Sequence, residues 1–367
     1  MFVSGFWDEL YRRNRPVVGL SPMDGVTDAP FRYMVAKYGS VHTRHEESPH
    51  TGYAGGGVDV IFTEFVSVDG LHYATGDKRE RLLQAFIRAR DVGELHTQHE
   101  ESPHTGYAGD KPWPYEIAQV FGHTPAFFAE AAEIIERLGF DGVDINMGCP
   151  AHKVEEHGSG AGLIRTPALA QEIVRVTKAA TKLPVSVKTR IGVDRDEATE
   201  WMEALCEVRP ATISLHGRTL KQLYQGKADW EAIGRAADVV HRHGGHILGN
   251  GDIQSFSEGM EKVKAYGVDG FLIGRAAEGN PAVFIQSQIT HSQNENGEQA
   301  KQQRLAWAVE HARVYEAVFG AGNFMPMRKH LAWYAHGFPG ASELRQRLMT
   351  VNSAGEVVEI LDHDHSD

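Results

Sequence analysis

Cysteine is nearly absent from this chain of 367 residues: Cys149 and Cys206 are the two it has. That excludes a disulfide framework and points to a reducing compartment. No run of about 18 apolar residues occurs, which leaves no candidate for a membrane-spanning helix. The opening segment MFVSGFWDELYRRNRP carries acidic residues and lacks the apolar stretch of a secretory leader, so a cytoplasmic location is expected. Positive charge is also scarce, with 37 Lys and Arg against 49 Asp and Glu and a formal net charge of −12. This balance lowers the expectation of a nucleic-acid partner, yet a local basic face can coexist with an acidic remainder.

What the chain does contain is alternation. Mostly apolar runs fall at 17–20, 58–65, 116–121, 142–146, 185–189, 212–216, 246–249 and 270–274, the pattern of strands buried on both faces. Helical spacing fills the gaps between them. Thr124-Pro125 precedes Phe127, Phe128, Ile134, Ile135 and Leu138, and Thr166-Pro167 precedes Leu169, Ile173, Val174 and Val176. Each pair reads as an N-cap hydroxyl followed by proline at the first helical position. Eight strands alternating with helices predict an α/β fold, a (β/α)8 TIM barrel over 1–290, with a doubly wound sheet as the competing layout. After a polar stretch the pattern turns all-helical, with Leu305, Val309, Val314, Val318, Leu344 and Leu348, so a small helical domain is expected over 298–367.

One feature stands outside this scheme. HTRHEESPHTGYAG at 42–55 recurs as HTQHEESPHTGYAG at 96–109. Two polar copies cannot stack a solenoid core, and His45-Glu46 is followed by His50 rather than by an i+4 histidine. Surface insertion is the expected reading, with weak metal binding or an interaction tag as the alternative.

Chemistry in such a barrel belongs at the C-terminal strand ends. Those ends read SPMDGVTD, then Gln119, NMGCP, KTR, HGRT, NGD and GR, while the strand bodies read as apolar. Asn250-Gly251-Asp252 and Gly274-Arg275 supply close main-chain amides and a guanidinium, the means of binding a phosphate after strands seven and eight. Lys188 ends strand five and could place a cation beside the polar edge of a flavin ring. His216 ends strand six and could donate to a ring or phosphate oxygen. Cys149, flanked by glycine and proline, sits on a constrained loop where a protonated thiol can act as a general acid. Cys206, within the helical WMEALCEV, reads as a small buried hydrophobe.

Taken in order, LSPMDGVTDAPFR, DVIFTEFVSVDGLHY, IAQVFG, GVDINMGCPAHKV, VSVKTRIG, SLHGRT, GNGDI, GFLIGRAAEGNP and MRKHLAWY…GFPGA closely resemble the tRNA-dihydrouridine synthase family. The resemblance implies a barrel that binds FMN, takes electrons from NADPH and reduces uridine to dihydrouridine in tRNA. By motif position, Pro22 and Met23 would line the flavin ring, and Gln119 and Lys188 would bond its polar edge. His216, Asn250, Gly251, Asp252, Gly274 and Arg275 would hold the phosphate. Asn146 and Arg190 would face the uracil, Cys149 would protonate C5, and Arg328 and Lys329 would grip RNA. Two points depart from the pattern: His336 stands where relatives of this type tend to carry lysine, and the duplicated segments have no counterpart. The rival readings are an FMN barrel acting on a free pyrimidine and a non-catalytic flavin or RNA binder.

Overall fold

The computed structural model describes residues 5–13, 15–40, 56–97, 113–151, 158–285 and 297–364. The duplicated segments lie outside them, apart from residues 96 and 97.

Among the described residues eight parallel strands close on themselves in chain order. They are β1 (Val17–Leu20), β2 (Val60–Ser67), β3 (Tyr115–Phe121), β4 (Gly142–Met147), β5 (Val185–Arg190), β6 (Ile213–His216), β7 (Ile247–Asn250) and β8 (Gly270–Ile273). Every expected strand is present, displaced by at most two residues at either end. β1 pairs with β2 on one side and with β8 on the other, Val17 opposite Gly270 and Leu20 opposite Ile273. That pairing decides for the barrel over the doubly wound sheet, and it removes sheet edges.

The strand bodies are buried but not purely apolar, which corrects the expectation from sequence. Thr63, Glu116, Gln119, Asp144, Ser186 and Ser214 are all at most 1% exposed. A closed eight-stranded barrel must fill its interior with side chains from every strand. Polar ones are stabilised there when they satisfy one another, although Ser214 Oγ has no hydrogen-bond partner among the described residues. Asp144 accepts from Ser186 Oγ at 2.6 Å and from Gln119 Nε2 at 2.7 Å.

The helices are α1 (Phe6–Arg12), α2 (Ala29–Tyr38), α3 (Val68–Tyr73), α4 (Gly76–Gln84), α5 (Ala89–Thr97), α6 (Pro125–Arg137) and α7 (Pro167–Ala180). They continue with α8 (Ala198–Cys206), α9 (Trp230–Arg242), α10 (Phe256–Tyr266), α11 (Gly297–Phe319), α12 (Met327–Tyr334), α13 (Ala341–Leu348) and α14 (Ala354–Asp364). α6 and α7 begin right after Thr124 and Thr166, but neither hydroxyl caps its helix. Thr124 Oγ1 donates instead to Asp69 Oδ1 at 3.3 Å. Proline at the first helical position marks both starts by its fixed φ and missing N–H. Side-chain caps come from Asp28 on α2, Ser67 on α3, Asp229 on α9 and Ser255 on α10.

The floor of the barrel is closed by α1. Trp7 and Leu10 pack in one cluster with Val17, Val60, Phe62, Ile117, Leu248 and Leu272. Tyr11 adds a hydroxyl contact to Thr212 Oγ1 at 2.5 Å and stacks on His246 with ring centroids 3.7 Å apart.

The described residues gather into two compact units. The first spans Met1–Asp24, Val58–Ile87 and Pro114–Gly274 and holds all eight strands. The second spans Gly25–Gly57, Arg88–Trp113 and Arg275–Asp367, and so takes in α2 and α5 with α11 to α14. Its apolar core is built on Leu305, Tyr315, Phe324, Met327, Leu331, Leu344 and Leu348.

That core also encloses two histidines, His311 and His330, each at most 1% exposed, with ring centroids 4.8 Å apart. His311 Nδ1 meets the Tyr334 hydroxyl at 3.2 Å, and Asp28 Oδ2 lies 3.5 Å from His330 Nε2. Burial, with His330 alongside, brings His311 from 6.5 down to about 3, against the pull of Asp28. Between those two values the unfolded chain takes up a proton that folded His311 refuses. Stability is therefore complete above the unfolded value and falls as the pH drops below it, by up to about 1.4 kcal/mol per pH unit. Denaturant titrations from about pH 8 to about pH 5 should show this acid slope. His311→Leu should flatten it, and an unchanged slope in that variant would assign the effect to other groups.

Candidate active site

The site grows from what lies at the C-terminal ends of β3 to β8. β3 and β4 run side by side, with Gln119 opposite Asp144. Asp144 is an acceptor at the blind end of a chain of hydrogen bonds. Gln119 donates to it through Nε2, so Gln119 Oε1 faces the other way and accepts from Asn146 Nδ2 at 2.9 Å. Asn146 Oδ1 is thereby turned toward the following loop, where it accepts from Gly148 N at 3.0 Å and Cys149 N at 2.8 Å. The loop carrying the cysteine is thus held by the barrel interior.

A second strut reaches the same loop from β5. Arg190, 2% exposed, donates through Nε to Gly148 O at 2.7 Å and through Nη1 to Thr219 O at 2.9 Å and Leu223 O at 3.0 Å. Its guanidinium carbon also lies 5.9 Å from the ring centre of Tyr224, which is 62% exposed. Burial lowers Arg190 to about 10, which leaves it cationic at neutral pH. One side chain therefore ties the Cys149 loop to the loop that follows β6.

Lys188 neighbours Asn146 in the β4–β5 ladder. Its Nζ donates to Asn250 Oδ1 at 3.2 Å, and Asn250 Nδ2 in turn donates to Leu272 O at 2.9 Å. Burial brings Lys188 down to about 8, with Arg190 adding to the effect and Asp144 and Cys149 opposing it. Asp144 moves the other way: burial raises it to about 6, while bonds from Ser186 and Gln119 and the Lys188 charge hold it back. Loss of water thus works against the charge on both groups, while their mutual attraction works for it.

Cys149 is 8% exposed. Burial pushes its thiol above the ordinary value; the Ala151 N–H and the cations Arg190 and Lys188 oppose this, and Asp24 adds to it. The thiol is kept protonated, the state a general acid requires. Cys206 is also buried, on the packed face of α8 with Trp201, Met202 and Leu205, as its sequence context implies.

Across the mouth, His216 Nε2 lies 3.2 Å from Arg218 Nη1, and Arg218 Nη2 grips Asp252 at 2.9 and 2.7 Å. Gly251 has φ 130, and a Cβ there would come within 2.6 Å of Ala228 Cβ and 3.1 Å of the His216 ring. Glycine is required by both conformation and space. At the seam of the barrel Ser21 N donates to Ile273 O at 2.7 Å. A Cβ on Gly274 would lie 3.4 Å from Met23 Sδ, so the half-buried Pro22-Met23 segment adjoins the end of β8.

Hydrogen bonds thus join Gln119, Asn146, the Gly148-Cys149 loop and Arg190 into one network and Lys188 with Asn250 into a pair, while His216, Gly251 and Asp252 form a further group and Met23 and Gly274 another. The Asp252 carboxylate is engaged by Arg218 and by Ala228 N at 2.8 Å. Arg275 opens a 3-10 turn, Arg275–Ala277, in the second unit. Arg328 and Lys329 also belong to that unit. There Arg328 donates to Val351 O at 2.8 Å, Thr350 O at 3.2 Å and Asn352 Oδ1 at 2.8 Å, and Lys329 Nζ donates to Gly25 O. His336 is exposed, and Arg304 Nη1 donates to its carbonyl at 2.8 Å. Asp144 and Arg218 are participants that sequence reading passed over. The signal for each was an ionisable residue in an otherwise buried stretch, GVDINM and SLHGRT.

Comparison with known proteins follows the same residues. The dihydrouridine synthase (Dus) family model matches 19–367. A probable tRNA-dihydrouridine synthase 1 from Synechocystis sp. is 32% identical over 348 residues, 93% of this chain and 84% of that protein. A probable tRNA-dihydrouridine synthase from Staphylococcus aureus is 31% identical over 366 residues, 97% of this chain and 94% of that protein. The probable tRNA-dihydrouridine synthase 2 of Bacillus subtilis is 32% identical over 363 residues, 97% of this chain and 95% of that protein. With its closed barrel, its pinned cysteine loop and a match running from β1 to the last residue, the chain belongs to the dihydrouridine synthase family.

Proposed function

We infer that this chain reduces the C5–C6 double bond of uridine in tRNA, with FMN as its flavin, NADPH as the reductant and the cytoplasm as its compartment. The observation that carries the reading is Cys149: a buried thiol held protonated, on a loop pinned by Asn146 and Arg190, near the half-buried Lys188. The donor set fits an anionic, planar ligand. Lys188 and Gln119 would meet the polar edge of the ring, and Pro22 and Met23 its apolar face. His216, Asn250, Gly251, Asp252, Gly274 and Arg275 would surround the phosphate, with Asp252 contributing main chain because its carboxylate is engaged by Arg218.

When bound, the flavin supplies the hydride that C6 of the base receives. The chain supplies the proton and the geometry. Cys149 Sγ holds that proton until C5 accepts it, and Asn146 and Arg190 keep the thiol from drifting while facing the uracil. A stacked base cannot reach a buried thiol, so the target nucleotide must leave its stack. The helical segment 298–367 would grip RNA through Arg328 and Lys329, with an affinity that falls as salt rises.

An anaerobic titration tests this. The purified protein should be yellow, bleach with NADPH and reoxidise when unmodified tRNA is added. Reoxidation by free pyrimidines but not tRNA would replace the RNA substrate with a small molecule. Protein that binds no flavin would overturn the reading.

A further inference from the structure

Arg218 is a buried cation at the barrel mouth that the proposed chemistry does not use. It is 2% exposed. Its Nε donates to Gln225 O at 3.2 Å and its Nη2 to Gly226 O at 2.7 Å and to both Asp252 oxygens, at 2.9 and 2.7 Å. The Asp252 carboxylate is fixed independently by Ala228 N at 2.8 Å, and its backbone is held at φ 57, a conformation rarely adopted outside glycine. The guanidinium is therefore anchored on three sides before it meets His216 Nε2 at 3.2 Å through Nη1.

An arginine has donors and no acceptor. At this contact His216 Nε2 can only accept, and a neutral imidazole that accepts at Nε2 carries its proton on Nδ1. A doubly protonated ring would set N–H against N–H, so the bond requires the neutral ring. Gly251 lies beside the same ring: a Cβ there would approach Cδ2 to 3.1 Å, so a side chain at this position would crowd the imidazole.

We propose that Arg218, held by Asp252, is a positioning residue that locks His216 as the Nδ1–H tautomer, so that the ring offers an N–H rather than a lone pair to an anionic ligand. The ligand clause rests on the flavin-phosphate reading above; the tautomer clause does not. A carboxylate, a guanidinium and an imidazole in series fix a donor in advance, and no proton has to move when the ligand arrives.

Imidazole 15N NMR of the purified protein reads the tautomer directly, with His216→Gln identifying the resonances. The wild type should show a protonated Nδ1 and a bare Nε2. Arg218→Met should shift His216 toward the Nε2–H form or a mixture and weaken FMN binding about tenfold. Arg218→Lys should restore part of both. A bare Nδ1 in the wild type, a measurement that needs no variant beyond the assignment, would overturn the proposal while leaving the flavin reading intact. So would an unchanged tautomer in Arg218→Met, or in Asp252→Asn should the first variant fail to fold. If the tautomer is as stated but His216→Gln binds FMN as tightly as the wild type, the ligand clause falls and His216 does not serve the phosphate.

Discussion

Cys149→Ala should still accept electrons from NADPH, yet reduce tRNA uridine about 10²- to 10⁴-fold more slowly. The separation is expected because the bonds that shape the loop are made by main-chain atoms. Asn146 Oδ1 receives the amides of residues 148 and 149, and Arg190 Nε binds the carbonyl of Gly148. None of them needs the thiol, so removing it removes a proton and leaves the loop where it was. The wild-type rate should hold through neutral pH and fall only on the alkaline side, since burial raises the thiol above its ordinary value. Stopped-flow absorbance, with reduction by NADPH and reoxidation by tRNA followed separately, distinguishes the two half-reactions. A Cys149→Ala variant that reoxidises at the wild-type rate would end the acid assignment.

The largest effect on folding should come from Gly270→Val. A Cβ at this position would lie 2.1 Å from Val17 O and 2.8 Å from Val17 C and N. All three are main-chain atoms of the strand that closes the barrel, paired directly with Gly270. A flexible side chain could move aside; a strand holding ladder bonds on both sides cannot do so without opening the seam. Opening it exposes unpaired main chain in a buried sheet, at a cost of several kcal/mol, comparable with the whole stability of about 5–15 kcal/mol of an ordinary domain. The variant should be insoluble or show no cooperative melt. Gly297→Ala, where an added Cβ meets nothing within 4 Å, should melt like the parent. A Gly270→Val protein with a near-parental melting temperature would show that the seam can relax.

How much of this was legible depends on what each signal encodes. Strand positions were, because a strand buried on both faces writes itself as a continuous apolar run: 185–189 and 142–146 are each one residue short of the observed β5 and β4. The placement of the candidate residues Cys149, Lys188 and His216 at or just past strand ends was legible because the strand boundaries were. The partners of those residues were not. Asp144 was hidden because hydropathy alone treats a carboxylate in GVDINM as noise. Only the opposed positions of Gln119 and Ser186 in neighbouring strands show how it is satisfied. The commitment of Asp252 to Arg218 is likewise invisible in one dimension, as 34 residues separate them. Nor does periodicity say what covers a helix, so the grouping of α2 and α5 with α11 to α14 could not be read from their sequences. The helix α1 was missed although Phe6, Trp7 and Leu10 have helical spacing, because so short a segment has little weight beside strong strand signals.

That short helix has a consequence for how the chain reaches its fold. α1 leaves the ribosome well before some of the residues that Trp7 and Leu10 pack against, which include Leu248 and Leu272 near the other end of the barrel. At about 5–20 residues per second, those partners emerge on the order of tens of seconds later. During synthesis the apolar face of α1 has no complete seat, and closing the longest loop in the barrel is what finally provides one. Trp7 is therefore a natural reporter of completion: its burial marks the moment the barrel acquires a floor.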